Sequence, residues 1–131
     1  MERNLSLILD RESLKWFKPA NGQFQIFYLD RGEHREYQPD FVAETESMIY
    51  MFEPKQADRM NDADVIAKRD SAVRWCRRAT EYAAEHSGKP WQYVLVPHDA
   101  VAENMTIKGL ADRYTVTSTE PLEEHISEAA R

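Results

Sequence analysis

Two short apolar segments on either side of a long amphipathic one constrain this fold more than any other feature of the sequence. The segments MIYMFEPK (48–55) and WQYVLVP (91–97) are continuous apolar runs, and the first of them ends in charged residues. Such runs are typical of strands that are buried on both faces of a sheet. Between them, residues 62–86 are long enough to form a helical crossover between the two strands. The sequence therefore predicts an α/β protein with a central mixed sheet.

The segment between the two strands has the apolar spacing of one helical face. The residues on that face are Val65, Ala72, Trp75, Cys76, Ala79, Tyr82 and Ala83. Asn61 and Asp62 are candidates for the N-cap. Gly88 and Pro90 are expected to end the helix, because glycine and proline commonly follow a helix C-terminus.

The amino-terminal third is predicted to add one helix and two strands. Part of residues 5–17 is expected to be helical, with Asp10 or Ser13 capping its start. Aromatic and β-branched residues predict a strand at 24–30. Residues 35–44 are predicted to be its hairpin partner, bent at an internal proline.

The rest of the chain completes one domain. Residues 99–112 are expected to form a loop and a short helix, 114–118 a last strand and 121–130 a terminal helix. The predicted order is α-β-β-β-α-β-α-β in a single domain over residues 1–131, in which 119–131 form an acidic C-terminal helix or tail.

Two groups of residues in this predicted fold are candidates for a functional site. Asp40 lies at the bend of one predicted strand, and Glu53-Pro54-Lys55 ends the next. Because alternate residues of a strand share a face, Glu53 and Lys55 project together while Pro54 points away. A hairpin that turns at residues 46–47 would bring Asp40 beside Glu53. Two carboxylates and one ammonium group are thus predicted to converge at one edge of the sheet.

Such a cluster suits phosphodiester hydrolysis. Mg²⁺ prefers carboxylate and carbonyl oxygens, so Asp40, Glu53 and the main-chain carbonyl of Pro54 are predicted metal ligands. Proline keeps its carbonyl although it lacks an amide proton. A bound metal makes a nucleophile from water near neutral pH. Lys55 is predicted to orient that water or to offset charge in the transition state.

The pattern PD-x(12)-E-x-K, with Asp40, Glu53 and Lys55, is the signature of the PD-(D/E)XK nuclease superfamily. Longer segments resemble the C-terminal endonuclease domain of type III restriction subunits and related helicase-linked proteins, over roughly residues 12–100. These segments are WFKP (16–19), FQIFY (24–28), YQPDFVAET (37–45), YMFEPK (50–55), DADVIAKRDSAVRWC (62–76) and KPWQYVLVPH (89–98).

This resemblance implies a restriction-endonuclease-like fold and a metal-dependent DNA endonuclease. Asp40 and Glu53 would then be metal ligands and Lys55 the catalytic lysine, with Mg²⁺ as cofactor and Mn²⁺ as a possible substitute. The partners implied are DNA, a helicase or translocase domain and the modification subunit of a larger restriction assembly. No Gly-rich phosphate loop is present in the sequence, which fits an ATPase on another domain or subunit.

Two alternatives stay open. The family has an apolar residue, often valine, where this chain has Pro54. A catalytically decayed nuclease-fold domain that docks DNA or protein is therefore the first alternative. The net charge of −6 also favours it, because nucleic-acid binders are usually basic. The second alternative is an unrelated small α/β interaction domain.

Other residues have a functional and a structural interpretation. Lys68, on the sheet-facing side of the long helix, either contacts a phosphate or extends past the core edge. Glu12 is either an additional acid of the site or a surface glutamate. His98 and Asp99 either border the site or are ordinary loop residues. A basic set on the long helix either contacts DNA or is its solvated side, and comprises Arg69, Arg74, Arg77 and Arg78.

Cysteine content and hydropathy bear on location. Cys76 is the single cysteine, so an internal disulfide is excluded and a reducing, cytoplasmic setting is expected. No apolar run approaches the length of a membrane span. The first residues lack the pattern of a signal or transit peptide.

Overall fold

The computed structural model describes residues 2–20, 22–23 and 26–117, which form a five-stranded mixed sheet, a separate two-stranded hairpin and three α-helices. The helices are α1 (Glu2–Glu12), α2 (Ala63–Glu85) and α3 (Ile107–Tyr114). The strands are β1 (Lys15–Phe17), β2 (Ile26–Asp30), β3 (Glu33–Tyr37), β4 (Phe41–Glu44), β5 (Ile49–Lys55), β6 (Trp91–Pro97) and β7 (Thr115–Val116). Short 3-10 turns occupy Ala57–Arg59 and His98–Ala100.

The main sheet has the strand order β1-β4-β5-β6-β7. β5 and β6 are parallel and joined by α2, whereas the other neighbouring pairs are antiparallel. The predicted α/β class with a mixed sheet is confirmed. The two continuous apolar runs are its central parallel strands.

Two hydrophobic cores lie on opposite faces of this sheet. One core is formed with α1 and α3, and its buried residues include Leu5, Ile8, Leu9, Phe41, Phe52, Val94, Val96 and Leu110. The other is formed with α2 and the β2–β3 hairpin, and includes Ile26, Tyr28, Tyr37, Met51, Ala72, Val73, Cys76, Tyr93 and Leu95. Neighbouring residues of β5, Met51 and Phe52, belong to different cores, as strand alternation requires.

The predicted amino-terminal helix was placed too late in the chain. α1 begins at Glu2 and ends at Glu12, so Asp10 and Ser13 lie at its end and cap no start. The Ser13 hydroxyl donates to the Leu9 carbonyl oxygen, and Asp10 accepts a hydrogen bond from the Trp16 indole at 2.7 Å. Residues 15–17 form β1 instead, because pairing with β4 outweighs their weak helical periodicity.

The strand predicted over residues 35–44 is two strands in two sheets. β3 pairs with β2 and ends at Tyr37, and β4 enters the main sheet at Phe41. The break falls at Gln38-Pro39-Asp40, since proline cannot donate to a strand ladder. The terminal helix predicted at 121–130 lies outside the described residues.

The long helix agrees with its predicted span, but the contacts at its two ends differ from the predicted caps. Asp62 occupies the N-cap position without a side-chain capping bond, and its carboxylate accepts instead from Arg59 Nε at 3.0 Å. At the other end the Gly88 amide donates to the Ala83 carbonyl oxygen at 2.8 Å. The residue with positive φ there is Ser87, at 59°. Within the described part of the chain, no helix combines the length and apolarity that crossing a membrane requires.

Candidate functional site

The β4–β5 hairpin brings Asp40 and Glu53 together. In its register Phe41 lies opposite Phe52, so the preceding Asp40 falls opposite Glu53 when the register is continued by one residue. Directly opposite residues of an antiparallel pair have Cβ atoms about 5 Å apart. Both side chains lie on the sheet face that carries α2, since Phe41 and Phe52 face the other core.

Glu53 is held in an unusual environment for a carboxyl group. Only 3 % of the residue is exposed. The Tyr37 hydroxyl donates a hydrogen bond of 2.5 Å to its Oε1 atom. Its Oε2 atom is also buried, and no N–H or O–H donor of the described residues reaches it. A buried acceptor without a partner is costly, which makes Oε2 the atom that a proton or a cation would stabilise.

The pKa of Glu53 is raised from 4.5 to about 8. Burial is the largest cause, followed by the negative charge of Asp40 and a hydrogen bond with it. The Tyr37 hydrogen bond and the positive charge of Lys55 act in the opposite direction. Because two ionised carboxylates cannot hydrogen-bond each other, this bond in the acid pair of Asp40 and Glu53 needs a proton, which Glu53 keeps at neutral pH with its pKa of about 8.

Two buried tyrosines support Glu53, and sequence reasoning missed both. Tyr37 ends β3 and Tyr93 lies in β6. Burial, followed by the neighbouring Tyr93 and Glu53, raises the pKa of Tyr37 well above its usual value of 10. Burial is the first cause for each tyrosine. Tyr93 could have been found from strand alternation, because it shares a face with Leu95, which is the β6 partner of Glu53.

β5 runs unbroken through Pro54. The residues Glu53, Pro54 and Lys55 pair in register with Leu95, Val96 and Pro97 of β6. β4 starts opposite Phe52, so among the described strands this last part of β5 has β6 as its neighbour. Proline is tolerated in a strand segment that has a neighbouring strand on one side only. Strand continuity therefore does not argue against a working site.

Lys55 lies near the acid pair and Lys68 does not join it. Lys55 shares the face of Glu53, is half-buried, and its charge lowers the pKa of Glu53. The Lys68 ammonium instead lies over the Tyr28 ring, 5.6 Å from its centroid. Lys68 thus extends past the core edge onto the hairpin, although it remains on the same side of the sheet.

The other candidates for the site were Glu12, His98 and Asp99. Glu12 Oε1 accepts from the Ile107 amide at 2.8 Å and so caps the first turn of α3, on the other face of the sheet. His98 and Asp99 are exposed in the turn after β6 and lie at the same sheet end as Lys55.

Within the described part of the chain, two members of the basic set on α2 have internal contacts. Arg69 pairs with Asp70 at 2.9 Å, and Arg74 donates to the Ser71 hydroxyl at 3.3 Å.

Burial raises the pKa of the Cys76 thiol to about 12, as expected for an inert core cysteine.

The acid pair has the donor type that a hard divalent cation takes. In the region that the structure describes, no group of three or more His, Cys, Asp or Glu side chains is placed to hold a metal. The acid pair supplies two carboxylates, and carbonyl oxygens and water complete the coordination of Mg²⁺ in many proteins. Glu53 Oε2, which is buried and receives no N–H or O–H donor from the described residues, is the observation that supports this fit.

Comparisons of the chain with protein-family models, with curated proteins and with solved structures gave no significant match. The interpretation of the site therefore depends on its own geometry and chemistry.

Proposed function

We propose that this chain is a Mg²⁺-dependent DNA endonuclease domain with a restriction-endonuclease-like fold. One observation carries the proposal: the buried carboxyl of Glu53, whose Oε2 meets no N–H or O–H donor of the described residues, lies beside a second carboxyl, Asp40, at the end of a central strand. A structural core position would favour an apolar residue there, because burying an acid without a full set of partners is unfavourable.

The residues of the site have distinct roles in this proposal. Asp40, Glu53 and the Pro54 carbonyl would hold the cation, whose contribution is Lewis-acid stabilisation of the phosphate and acidification of water. Mn²⁺ is the expected substitute. Lys55 would offset the negative charge that develops on the phosphoryl oxygens, and its half-buried position strengthens that electrostatic effect relative to bulk water.

The charge of the chain indicates that other components deliver the substrate. A net charge of −6 disfavours strong binding to DNA by this domain alone. We therefore infer a helicase or translocase domain and a modification subunit as partners, in a type III-like restriction or helicase-nuclease system of the cytoplasm.

Metal binding is the first test. Titration of the protein with Mn²⁺ in a calorimeter should show binding that Asp40→Asn abolishes. Glu46→Gln is the matched control, because Glu46 is exposed at the opposite end of the same hairpin. Binding that survives in Asp40→Asn would remove the assigned site.

Cleavage is the second test. The protein with Mg²⁺ or Mn²⁺ should nick plasmid DNA, and Lys55→Met should reduce the rate by at least about a hundredfold while Mn²⁺ still binds. Lys108→Met is the control, since Lys108 is exposed on α3 and pairs with Asp112 there. Equal rates for Lys55→Met and the control would exclude a catalytic lysine.

The decayed-nuclease alternative is favoured by a separate observation. A pKa of about 8 lets Glu53 stay protonated at neutral pH, so the acid pair can be stable without any cation. A domain of this kind would dock DNA or protein without cutting. The two functions differ in the calorimeter, because a decayed site should show no Mn²⁺ binding that depends on Asp40.

A further inference from the structure

Tyr37 connects the β2–β3 hairpin to the acid pair. It is the last residue of β3 and 4 % exposed, and its hydroxyl donates to Glu53 Oε1. The hairpin is a sheet of its own, separate from the one that contains Glu53. This hydrogen bond therefore joins the two sheets at the candidate site.

Tyr93 is buried in the same core as Tyr37. It is 1 % exposed in β6, where it lies opposite Met51, two residues before Glu53. Both rings are buried in one core, and each phenol shifts the pKa of the other. The Tyr37 ring therefore has little freedom to leave Glu53.

This arrangement distinguishes the two oxygens of Glu53. The last torsion of a glutamate is broad, so a carboxylate without a fixed partner can turn either oxygen, or both, toward an ion. Here Oε1 already accepts a hydrogen bond, while no N–H or O–H donor of the described residues reaches Oε2. The hydrogen bond therefore leaves Oε2 as the oxygen that a proton or an ion can bind.

We propose that Tyr37 is a positioning residue of the cation site, which holds Glu53 by Oε1 and leaves Oε2 to bind the ion. The inference rests on the proposed function, since it assigns a role toward the cation of that site. Tyr93 supports the same role indirectly, since it is buried in the same core as Tyr37.

Tyr37→Phe tests the inference, because it removes the hydroxyl and keeps the ring that packs in the core. Its Mn²⁺ dissociation constant should rise roughly tenfold to a hundredfold, the range for loss of a hydrogen bond to a charged group. Tyr28→Phe is the matched control, from the same hairpin and the same core, and should stay within about twofold of the wild type. Circular dichroism would establish that each variant is folded at the titration temperature.

A spectroscopic measurement separates positioning from general stability. The splitting between the antisymmetric and symmetric carboxylate stretches reports whether one or both oxygens bind an ion. Infrared difference spectra with Mg²⁺ should show the one-oxygen pattern in the wild type and in Tyr28→Phe. In Tyr37→Phe they should shift toward the two-oxygen pattern. A purely structural role would lower the melting temperature without changing this splitting.

Tyr93→Phe gives a second variant should Tyr37→Phe not fold. Removing this more remote hydroxyl should weaken Mn²⁺ binding by about two- to tenfold, the range for a neutral hydrogen bond. Wild-type affinity and splitting in the folded tyrosine variants would overturn the positioning role and leave the proposed function standing. Absence of Asp40-dependent Mn²⁺ binding in the wild type would overturn both.

Discussion

Replacing Glu53 with glutamine should make the protein more stable at alkaline pH. Glutamine resembles the protonated acid, since its oxygen can accept from Tyr37 and its amide can donate to Asp40. The wild type needs a proton for the same arrangement, because two carboxylates meet there. The substitution thus keeps the hydrogen bonds and removes the titration.

The magnitude follows from the pKa of the folded protein. A tenfold change in proton affinity corresponds to about 1.4 kcal/mol, so a pKa raised from 4.5 to about 8 corresponds to about 5 kcal/mol. The folded protein keeps this proton between those two pH values while the unfolded chain has released it. Stability must therefore fall as pH rises through that window. The figure is an upper bound, because a charged pair can relax toward solvent.

Urea denaturation in EDTA, between about pH 5 and pH 9, measures the effect. The free energy of unfolding of the wild type should fall relative to Glu53→Gln, with a slope of up to about 1.4 kcal/mol per pH unit. Glu46→Gln should follow the wild type, because that glutamate is exposed. A difference between the wild type and Glu53→Gln that is independent of pH would refute the assigned burial and pairing of Glu53.

Two further predictions concern the scaffold. Leu9→Ala should lower the free energy of unfolding by about 3 kcal/mol, because Leu9 is fully buried between α1 and the sheet; Leu14→Ala, at a 64 % exposed position, should change it by less than about 0.5 kcal/mol in the same urea titration. Ser87→Gly should raise the melting temperature and add about 0.5–1 kcal/mol, since Ser87 has a φ of 59° that glycine adopts without strain. Ser87→Ala keeps the Cβ atom, so a gain as large as that of Ser87→Gly would contradict this explanation.

Local patterns predicted the centre of the fold. The apolar runs at 48–55 and 91–97 are β5 and β6, and the segment at 62–86 is α2 within one residue at each end. Such elements can be predicted locally. A strand that is buried on both faces and a helix that is buried on one face each have a characteristic pattern of apolar residues. Counting residues along the predicted hairpin was also sufficient to place Asp40 opposite Glu53.

Elements whose state depends on distant partners were predicted less well. Residues 15–17 are a strand because β4 lies beside them. The segment 35–44 divides between two sheets, although its sequence reads as one strand with a proline. In both cases pairing across the chain, rather than local preference, decides the outcome.

The sequence by itself determined which acids and which lysine share one end of the sheet, because strand alternation and hairpin length are local geometry. Only the tertiary structure decided the state of that cluster. Tyr37 reaches Glu53 from a separate sheet, and Tyr93 lies in the neighbouring parallel strand, which follows the crossover helix in the sequence. The protonation of Glu53 follows from its burial by the surrounding residues, since desolvation depends on everything that surrounds a group and not on its neighbours in sequence.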